Sequence, residues 1–112
     1  MTEKCLFCRI VSRESPADIV YEDEAVVAFR DIYPKAPVHL LIVPRRHIAS
    51  ISDLEPGDAE LIGRCLIAAR RLAEATGFAA RGYRVGVNCG PDGGQVIYHV
   101  HFHFMAGRPR GQ

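Results

Sequence analysis

The chain has 112 residues, of which 48% are hydrophobic and 24% are charged. This composition predicts one globular domain over residues 1–112, because the chain is too short for two. A formal net charge of +1 argues against a broad basic surface for nucleic acid, whereas a small-molecule phosphate needs only a local positive site. No apolar run approaches the ~20 residues of a membrane span and no signal-peptide core is present, so we expect no membrane partner and a cytoplasmic protein with reduced cysteines.

The first half of the chain predicts a short helix followed by three strands. Apolar residues at helical spacing precede Ser15-Pro16, and an acidic turn separates two runs of strand-forming residues. The predicted elements are a helix at 4–13, strands at 19–21, 25–31 and 39–44, and a proline-bearing loop at 32–37.

The second half predicts one long helix, from about Pro56 to Thr76, and two further strands, 83–88 and 97–106. Glu55 precedes a proline and is the expected N-cap, and Gly77 is expected to end the helix. Its two adjoining apolar stripes exceed what one sheet face needs, which fits a broadly buried helix and a partner subunit equally. The stripes are Leu61, Cys65, Ala68 and Leu72, and Ile62, Leu66, Ala69 and Ala73.

Three histidines, His99, His101 and His103, alternate with apolar residues in the last predicted strand. In an extended chain this spacing places the three imidazoles on one face and the apolar residues on the opposite face, where they read as core. Each buried imidazole brings two nitrogens that need partners, so the run fits metal binding, proton transfer or nucleophilic attack better than packing.

The histidine run and the preceding Gly93-Gly94-Gln95 resemble the histidine triad (HIT) family, whose mark is three histidines alternating with apolar residues. Asp31-Ile-x-Pro-x-Ala-Pro-x-His39 and Arg46-His47-Ile48 also follow the family order, so the resemblance spans nearly the whole chain. Closest in pattern is the Hint branch of nucleoside phosphoramidate hydrolases. The elements and the resemblance together imply an α+β fold with a five-stranded antiparallel sheet, one long helix, a short N-terminal helix and assembly as a homodimer.

The resemblance implies an enzyme that cleaves purine nucleoside phosphoramidates at the α-phosphate through a phosphohistidine. It makes His101 the nucleophile, and a neutral imidazole is competent for this at pH 7. The far nitrogen of His101 is then expected to donate to a backbone carbonyl, which leaves the near nitrogen free. His103 would hydrogen-bond a phosphate oxygen, and His39 and His99 would complete the catalytic cluster.

The same resemblance implies the substrate contacts. Asp31 would accept both ribose hydroxyls, although an aspartate before a turn is also a common structural feature. The remaining candidates are Leu6, Phe7, Ile10, Phe29 and Ile32 for an apolar slot around the base, and Asn88, Gly93, Gly94 and Gln95 for the phosphate. Each apolar candidate taken alone is more typical of a core residue than of a ligand contact.

Cys5 and Cys8 have the spacing that lets two thiolates bind one metal ion. Some bacterial members of the family carry this pair beside zinc, and the remaining ligands in those members match His47 and His99. The resemblance therefore implies a structural Zn²⁺, with packing of two small thiols under the helix as the alternative. Cys65 lies in a helical stripe and is expected in the core, and nothing in the sequence assigns a role to Cys89.

Two departures from the Hint pattern bear on the substrate. Val96 stands where many members have a polar residue that helps the amine to leave, and the chain ends soon after Gly107-Arg-Pro-Arg110. Two alternatives therefore remain open. One is a dinucleoside polyphosphate hydrolase of the Fhit-like branch, and the other is a zinc-containing nucleotide-binding protein with little turnover.

Overall fold

A computed structural model describes residues 5–107. Its elements in chain order are helix α1 (Leu6–Val11), strands β1 (Ile19–Glu22), β2 (Val26–Arg30) and β3 (Val38–Pro44), helix α2 (Ala59–Thr76), and strands β4 (Tyr83–Gly86) and β5 (Phe102–Ala106). The strands form one antiparallel sheet in the order β1-β2-β3-β5-β4. The predicted fold is therefore confirmed.

The last strand is shorter than predicted, because it begins at Phe102 and not at residue 97. The pairing of β3 with β5 ends at Ile42 and Phe102, and the residues before Phe102 bond elsewhere. His99 Nε2 donates to the Pro44 carbonyl over 2.8 Å, and the Val100 N–H donates to Ile48 outside the sheet. His99 and His101 therefore lie on irregular backbone, which lets their rings take directions that a regular strand would not allow.

The other boundaries also differ by a few residues from the prediction. The predicted helix at 4–13 is α1, and Lys4 lies outside the described residues. β4 ends at Gly86 instead of residue 88, and β2 lacks the two ends of the predicted run. These differences lie at element ends, where local pattern is least informative.

Both predicted ends of the long helix are present. A short 3₁₀ turn, Pro56–Asp58, leads into α2, and Glu55 and Asp58 form a reciprocal capping box. At the other end Gly77 adopts φ 84°, the left-handed conformation that ends many helices. Arg46 pairs with the Asp58 carboxylate, which ties the segment after β3 to the start of the helix.

Each face of the sheet covers its own apolar cluster. On one face, α2 packs Cys65, Ala68 and Leu72 against the sheet, so the prediction that Cys65 is a core residue is confirmed. On the other face, α1 packs Phe7 and Ile10 against β2 and β3. β3 is central and almost wholly buried, and it separates the two clusters.

Most residues of the two predicted helical stripes are buried, but Leu66 of the second stripe is 48% exposed, as is Ile67, which belongs to neither stripe. They lie one helical turn from the exposed Gly63, which has open space above its Cα. β4 is an edge strand, and Tyr83 at its start is also exposed. In the described part of the chain, neither helix has the length and apolar character needed to cross a bilayer.

Candidate active site

The pairing of β3 with β5 brings two of the predicted site histidines together. Leu41 pairs with His103 and His39 pairs with Met105, so the side chains of all four point to the α1 face of the sheet. His39 and His103 are diagonal neighbours on that face, and their ring centroids are 5.2 Å apart. On the other side of His103 the paired residue is Gly86, which has no side chain to cover the ring.

His101 lies next to His103, with 5.1 Å between their ring centroids. Its Nδ1 lies 2.8 Å from the carbonyl oxygen of His99, and because a carbonyl only accepts, Nδ1 carries the proton. This is the hydrogen bond expected from the sequence, and it leaves the Nε2 lone pair free. Burial lowers the pKa of His101, although the His99 bond and the Asp31 charge oppose this, so the ring is neutral near pH 7.

His39 is buried beneath the site and contacts both His103 and Asp31. Its Nε2 lies 3.0 Å from His103 Nδ1 and 3.3 Å from Asp31 Oδ2. The Lys35 backbone N–H donates to its Nδ1 over 3.0 Å. Desolvation lowers the pKa of His39, with Asp31 opposing the shift, so this ring is also neutral.

His103 is half-buried at the edge of this histidine cluster. Burial, together with the neighbouring His101 and His39, lowers its pKa to about 4. At neutral pH the ring therefore offers one N–H donor and one lone pair.

His99 lies against α1 and the segment after β3, where its ring centroid is 5.0 Å from that of His47. Its Nε2 donates to the Pro44 carbonyl, so Nδ1 presents a lone pair 3.5 Å from Cys5 Sγ and 3.6 Å from Cys8 Sγ. His47 Nδ1 lies 3.3 Å from Cys8 Sγ on the open side. The four residues predicted as metal ligands thus offer ligand atoms that all lie within 4.8 Å of one another.

The spacing of this Cys/His cluster (Cys5, Cys8, His47 and His99) fits a tetrahedral zinc ion. Zinc bonds of about 2.3 Å to sulfur and about 2.05 Å to nitrogen put the two ligand atoms about 3.6 Å apart at tetrahedral angles. Burial and the neighbouring Cys5 raise the pKa of Cys8 to about 11. A divalent cation supplies the opposite charge that converts such a thiol to thiolate, and the Pro44 carbonyl is the outer partner that orients His99.

The loop from residue 88 to residue 95 is held by its own polar groups. The Gln95 side chain is buried, where it accepts from the Gly90 N–H over 3.0 Å and donates to the Ala49 carbonyl over 2.8 Å. Asn88 Nδ2 donates to the Gly93 carbonyl over 2.7 Å. The amides predicted to bind the phosphate therefore also shape the loop that would receive it.

Glycine is required at two positions of this turn. A Cβ at Gly93 would lie 2.2 Å from the Cys89 carbonyl oxygen, and Gly94 has φ 86°. The Gly94 N–H donates to Pro91 over 3.1 Å, so it bonds within the turn. The phosphate-binding roles of these residues stay predictions.

The residues predicted for the base slot divide into two groups. Phe7, Ile10 and Phe29 are buried in the α1 cluster, and the Phe7 ring lies edge-on 5.1 Å from His101. Leu6 and Ile32 are exposed, Ile32 by 79%. Phe7 therefore lies beside His101, and the role of these five residues as a slot for the base stays a prediction.

Backbone partners of the site residues carry little signal in the sequence, whereas Val96 could be recognised from it. The Lys35 N–H bonds to the His39 ring, the Ile48 carbonyl to the Val100 N–H, and the Ala49 carbonyl to the Gln95 side chain. Because each of these partners is a main-chain group, its side chain gives no sign of the contact. Val96 is 85% exposed and brings no side-chain donor to the loop, as the departure from the Hint pattern indicated.

Comparison with known proteins places this geometry in context. A purine nucleoside phosphoramidase of Escherichia coli K12 is 44% identical over 111 residues, covering 99% of this chain and 93% of that protein. The crystal structure of a HIT family hydrolase from Legionella pneumophila Philadelphia 1 superposes with a TM-score of 0.92 at 50% identity, covering 94% of each chain. A HIT family hydrolase from Clostridium thermocellum gives a TM-score of 0.93 at 44% identity, covering 98% of this chain and 96% of that one.

The HIT domain family itself matches residues 12–110. The match includes His39 and all three histidines of the run, and the relatives cover almost all of the chain. The chain therefore belongs to the HIT domain family.

Proposed function

We propose that this protein is a purine nucleoside phosphoramidase, which hydrolyses the P–N bond of a nucleoside phosphoramidate to a nucleoside monophosphate and an amine. The observation that carries the proposal is the bond from His101 Nδ1 to the His99 carbonyl at 2.8 Å. It fixes the tautomer with a free lone pair on Nε2, in a ring that is neutral at physiological pH. The E. coli relative named for this activity supports the choice of substrate class.

The reaction has two steps. The Nε2 lone pair of His101 attacks the α-phosphorus and displaces the amine, and the P–N bond breaks as the N–P bond to His101 forms. Water then attacks the phosphohistidine, which releases the monophosphate and restores the imidazole. The ring centroid of His103 lies 5.1 Å from that of His101. His103 would donate from Nε2 to a phosphate oxygen as negative charge builds there.

The remaining predicted site residues bind the substrate in this proposal. Asp31 would accept the ribose hydroxyls, Asn88 and Gln95 would reach the phosphate, and Phe7 with its neighbours would floor the base slot. The leaving amine needs a proton, which solvent water would supply because Val96 has no side-chain donor.

Zn²⁺ bound by the Cys/His cluster would be structural, because four protein ligands leave no open position for a substrate. Such an ion would tie α1 to the segment before β5. Because His99 would be one of its ligands, the ion would also restrain the His99 backbone, whose carbonyl orients His101. Free thiols and a zinc–thiolate site both suit a reducing, cytoplasmic location.

The protein would act as a homodimer. Within residues 5–107, β4 is an edge strand and its outer backbone groups have no sheet partner, and Leu66 and Ile67 are exposed on α2. A second copy could continue the sheet and cover both side chains. Sedimentation equilibrium should give twice the 12.4 kDa chain mass, and a monomer at micromolar concentration would refute this assembly.

The test compares adenosine phosphoramidate with diadenosine tetraphosphate, for the natural protein and for His101→Ala. We expect rapid AMP release from the phosphoramidate and a loss of about 10⁴-fold or more in kcat for the variant. Zinc content and AMP affinity of the variant serve as controls, because neither depends on the nucleophile.

Other outcomes would redirect the proposal. Preference for the dinucleotide would move the protein to the Fhit-like activity. Tight AMP binding without turnover of either substrate would support a zinc-containing nucleotide-binding protein.

A further inference from the structure

One nitrogen atom connects the proposed ribose ligand with the proposed phosphate ligand. His39 Nε2 lies 3.3 Å from Asp31 Oδ2 and 3.0 Å from His103 Nδ1. The His39 side chain is 1% exposed, so its nitrogens are shielded from bulk water. The Asp31 N–H donates to the His39 carbonyl over 3.0 Å, which keeps the carboxylate beside the ring.

The tautomer of His39 follows from its other nitrogen. Nδ1 accepts the Lys35 backbone N–H at 3.0 Å, and a ring nitrogen that accepts carries no proton. Neutral His39 therefore has its single proton on Nε2. The same assignment argues against a metal ion at Asp31, His39 and His103, although their ligand atoms lie close together, because Nε2 would first have to lose that proton.

One proton thus faces two groups that can accept it, His103 Nδ1 at hydrogen-bond geometry and the Asp31 carboxylate at the longer distance of an ion-pair contact. When it bonds to His103 Nδ1, that nitrogen accepts, and His103 must carry its own proton on Nε2, across the ring. This is the tautomer that can donate to a phosphate oxygen. When the proton bonds to Asp31, nothing in this contact fixes the tautomer of His103.

We propose that ribose bound at Asp31 directs the His39 proton to His103, so that the ribose hydroxyls raise the rate of turnover as well as the affinity. The inference rests on the proposed function. Asp31 Oδ1 already accepts the Tyr33 N–H over 2.8 Å, and among the described residues Oδ2 has only the longer contact with His39. Hydroxyl hydrogens donated to Oδ2 would occupy its lone pairs and weaken its competition for the His39 proton.

His39 is in this account a positioning residue, since it acts through His103 and does not touch the substrate. The preference for a ribose substrate would come from the competition between Asp31 and His103 for the hydrogen on His39 Nε2. The proposal predicts that kcat is lower for a substrate whose sugar has no hydroxyls. Loss of an ordinary binding contact would instead raise KM and leave kcat unchanged.

The test measures kcat for adenosine phosphoramidate and for its 2′,3′-dideoxy analogue, within each of three proteins. For the natural protein we expect kcat to fall about ten-fold with the dideoxy sugar. In His39→Gln the side-chain amide offers each acceptor its own hydrogen, and in His39→Leu it offers neither. In both variants the ratio of the two kcat values should approach one, while the KM penalty of the dideoxy sugar remains.

The ratio is internal to each protein, so a general loss of activity in a variant does not affect it. A natural-protein ratio of one, with the penalty entirely in KM, would overturn the inference. An unchanged ratio in His39→Gln would also overturn it, and this variant decides the matter if His39→Leu fails to fold.

A second measurement separates this inference from the proposed function. In ¹⁵N-labelled protein, AMP should shift His103 to the tautomer protonated at Nε2, and 2′,3′-dideoxy-AMP should leave a mixture. If the natural protein hydrolyses neither substrate, the proposed activity fails, and the ¹⁵N shifts still test the coupling. Identical His103 signals with both nucleotides would refute the coupling even if hydrolysis is fast.

Discussion

The two ends of the histidine run have the same residue type at the same spacing, yet their rings meet different partners. At one end His99 Nδ1 lies 3.5 Å from Cys5 Sγ, in a cluster of two thiols and a second imidazole. At the other end His103 Nδ1 lies 3.0 Å from His39 Nε2, beside a carboxylate. Sulfur and neutral imidazole suit zinc, whereas a buried N–H beside an oxygen suits hydrogen bonding.

The difference comes from segments far away in the sequence. α1 and its N-cap residue supply the thiols at one end, and β3 with the loop before it supplies His39 and Asp31 at the other. Of the three rings in the run, His101 and His103 lie next to each other and the His99 ring lies against Phe7 and His47. The partners from remote segments decide the chemistry of each ring. His101, between them, takes its tautomer from the His99 backbone rather than from a side chain.

The largest effect should come from the His103 end. His103→Gln removes the imidazole donor that faces the phosphate, and we expect kcat for adenosine phosphoramidate to fall by about 10²–10³-fold. Zinc per chain and the melting temperature should stay near those of the natural protein, because the Cys/His cluster is untouched. Loss of zinc from this variant would show that the two ends are not independent.

A smaller effect in free energy should come from the His99 end. Cys8→Ser removes a zinc ligand, and we expect loss of the metal with a fall of about 10 °C in Tm. Cys89→Ser is the matched control, since Cys89 lies outside the cluster and should leave zinc content unchanged. A natural protein that contains no zinc after expression in zinc-supplemented medium would contradict the assignment.

The smallest effect should appear in the pH dependence of stability. Burial first, then His101 and His39, lower the pKa of His103 from 6.5 to about 4. As the pH falls below 6.5, the unfolded chain takes up a proton that the folded chain does not, so stability falls until the pH reaches about 4. Because the ring is partly exposed, we expect a loss of about 1 kcal/mol by about pH 5.

Urea unfolding at about pH 7 and about pH 5 measures this loss. His103→Gln keeps the Cys/His cluster, so zinc release contributes equally to both proteins and the difference in slope isolates His103. Equal slopes would mean that His103 titrates normally in the fold.

The helix ends and the sheet could be predicted because their signals are local. Glu55-Pro56 and Gly77 specify the long helix through capping and φ, and the apolar run of β3 specifies its central position. The start of β5 could not be predicted. His99 and Val100 have the alternating pattern of a strand. In the structure the Val100 N–H bonds to the Ile48 carbonyl and the His99 ring to the Pro44 carbonyl, and only the fold brings these groups together.

The site shows the same division. The family pattern picked out His39, Asp31 and the Cys/His cluster, and the structure brings the members of each group together. The hydrogen-bonded state of the loop amides was not predicted, because Gln95 finds its partner Ala49 more than forty residues away. The bond from the Lys35 N–H to His39 Nδ1 was not predicted either, because its donor is a main-chain group.

That main-chain contact has a consequence for how the protein tolerates change. The Lys35 side chain is exposed, and the group that fixes the His39 tautomer is the peptide N–H, which every amino acid except proline possesses. A saturation scan at position 35 would therefore look permissive, with one forbidden residue. Side-chain identity at position 35 would therefore give no sign of its role, although the amide of this residue determines that the proton of His39 is on Nε2.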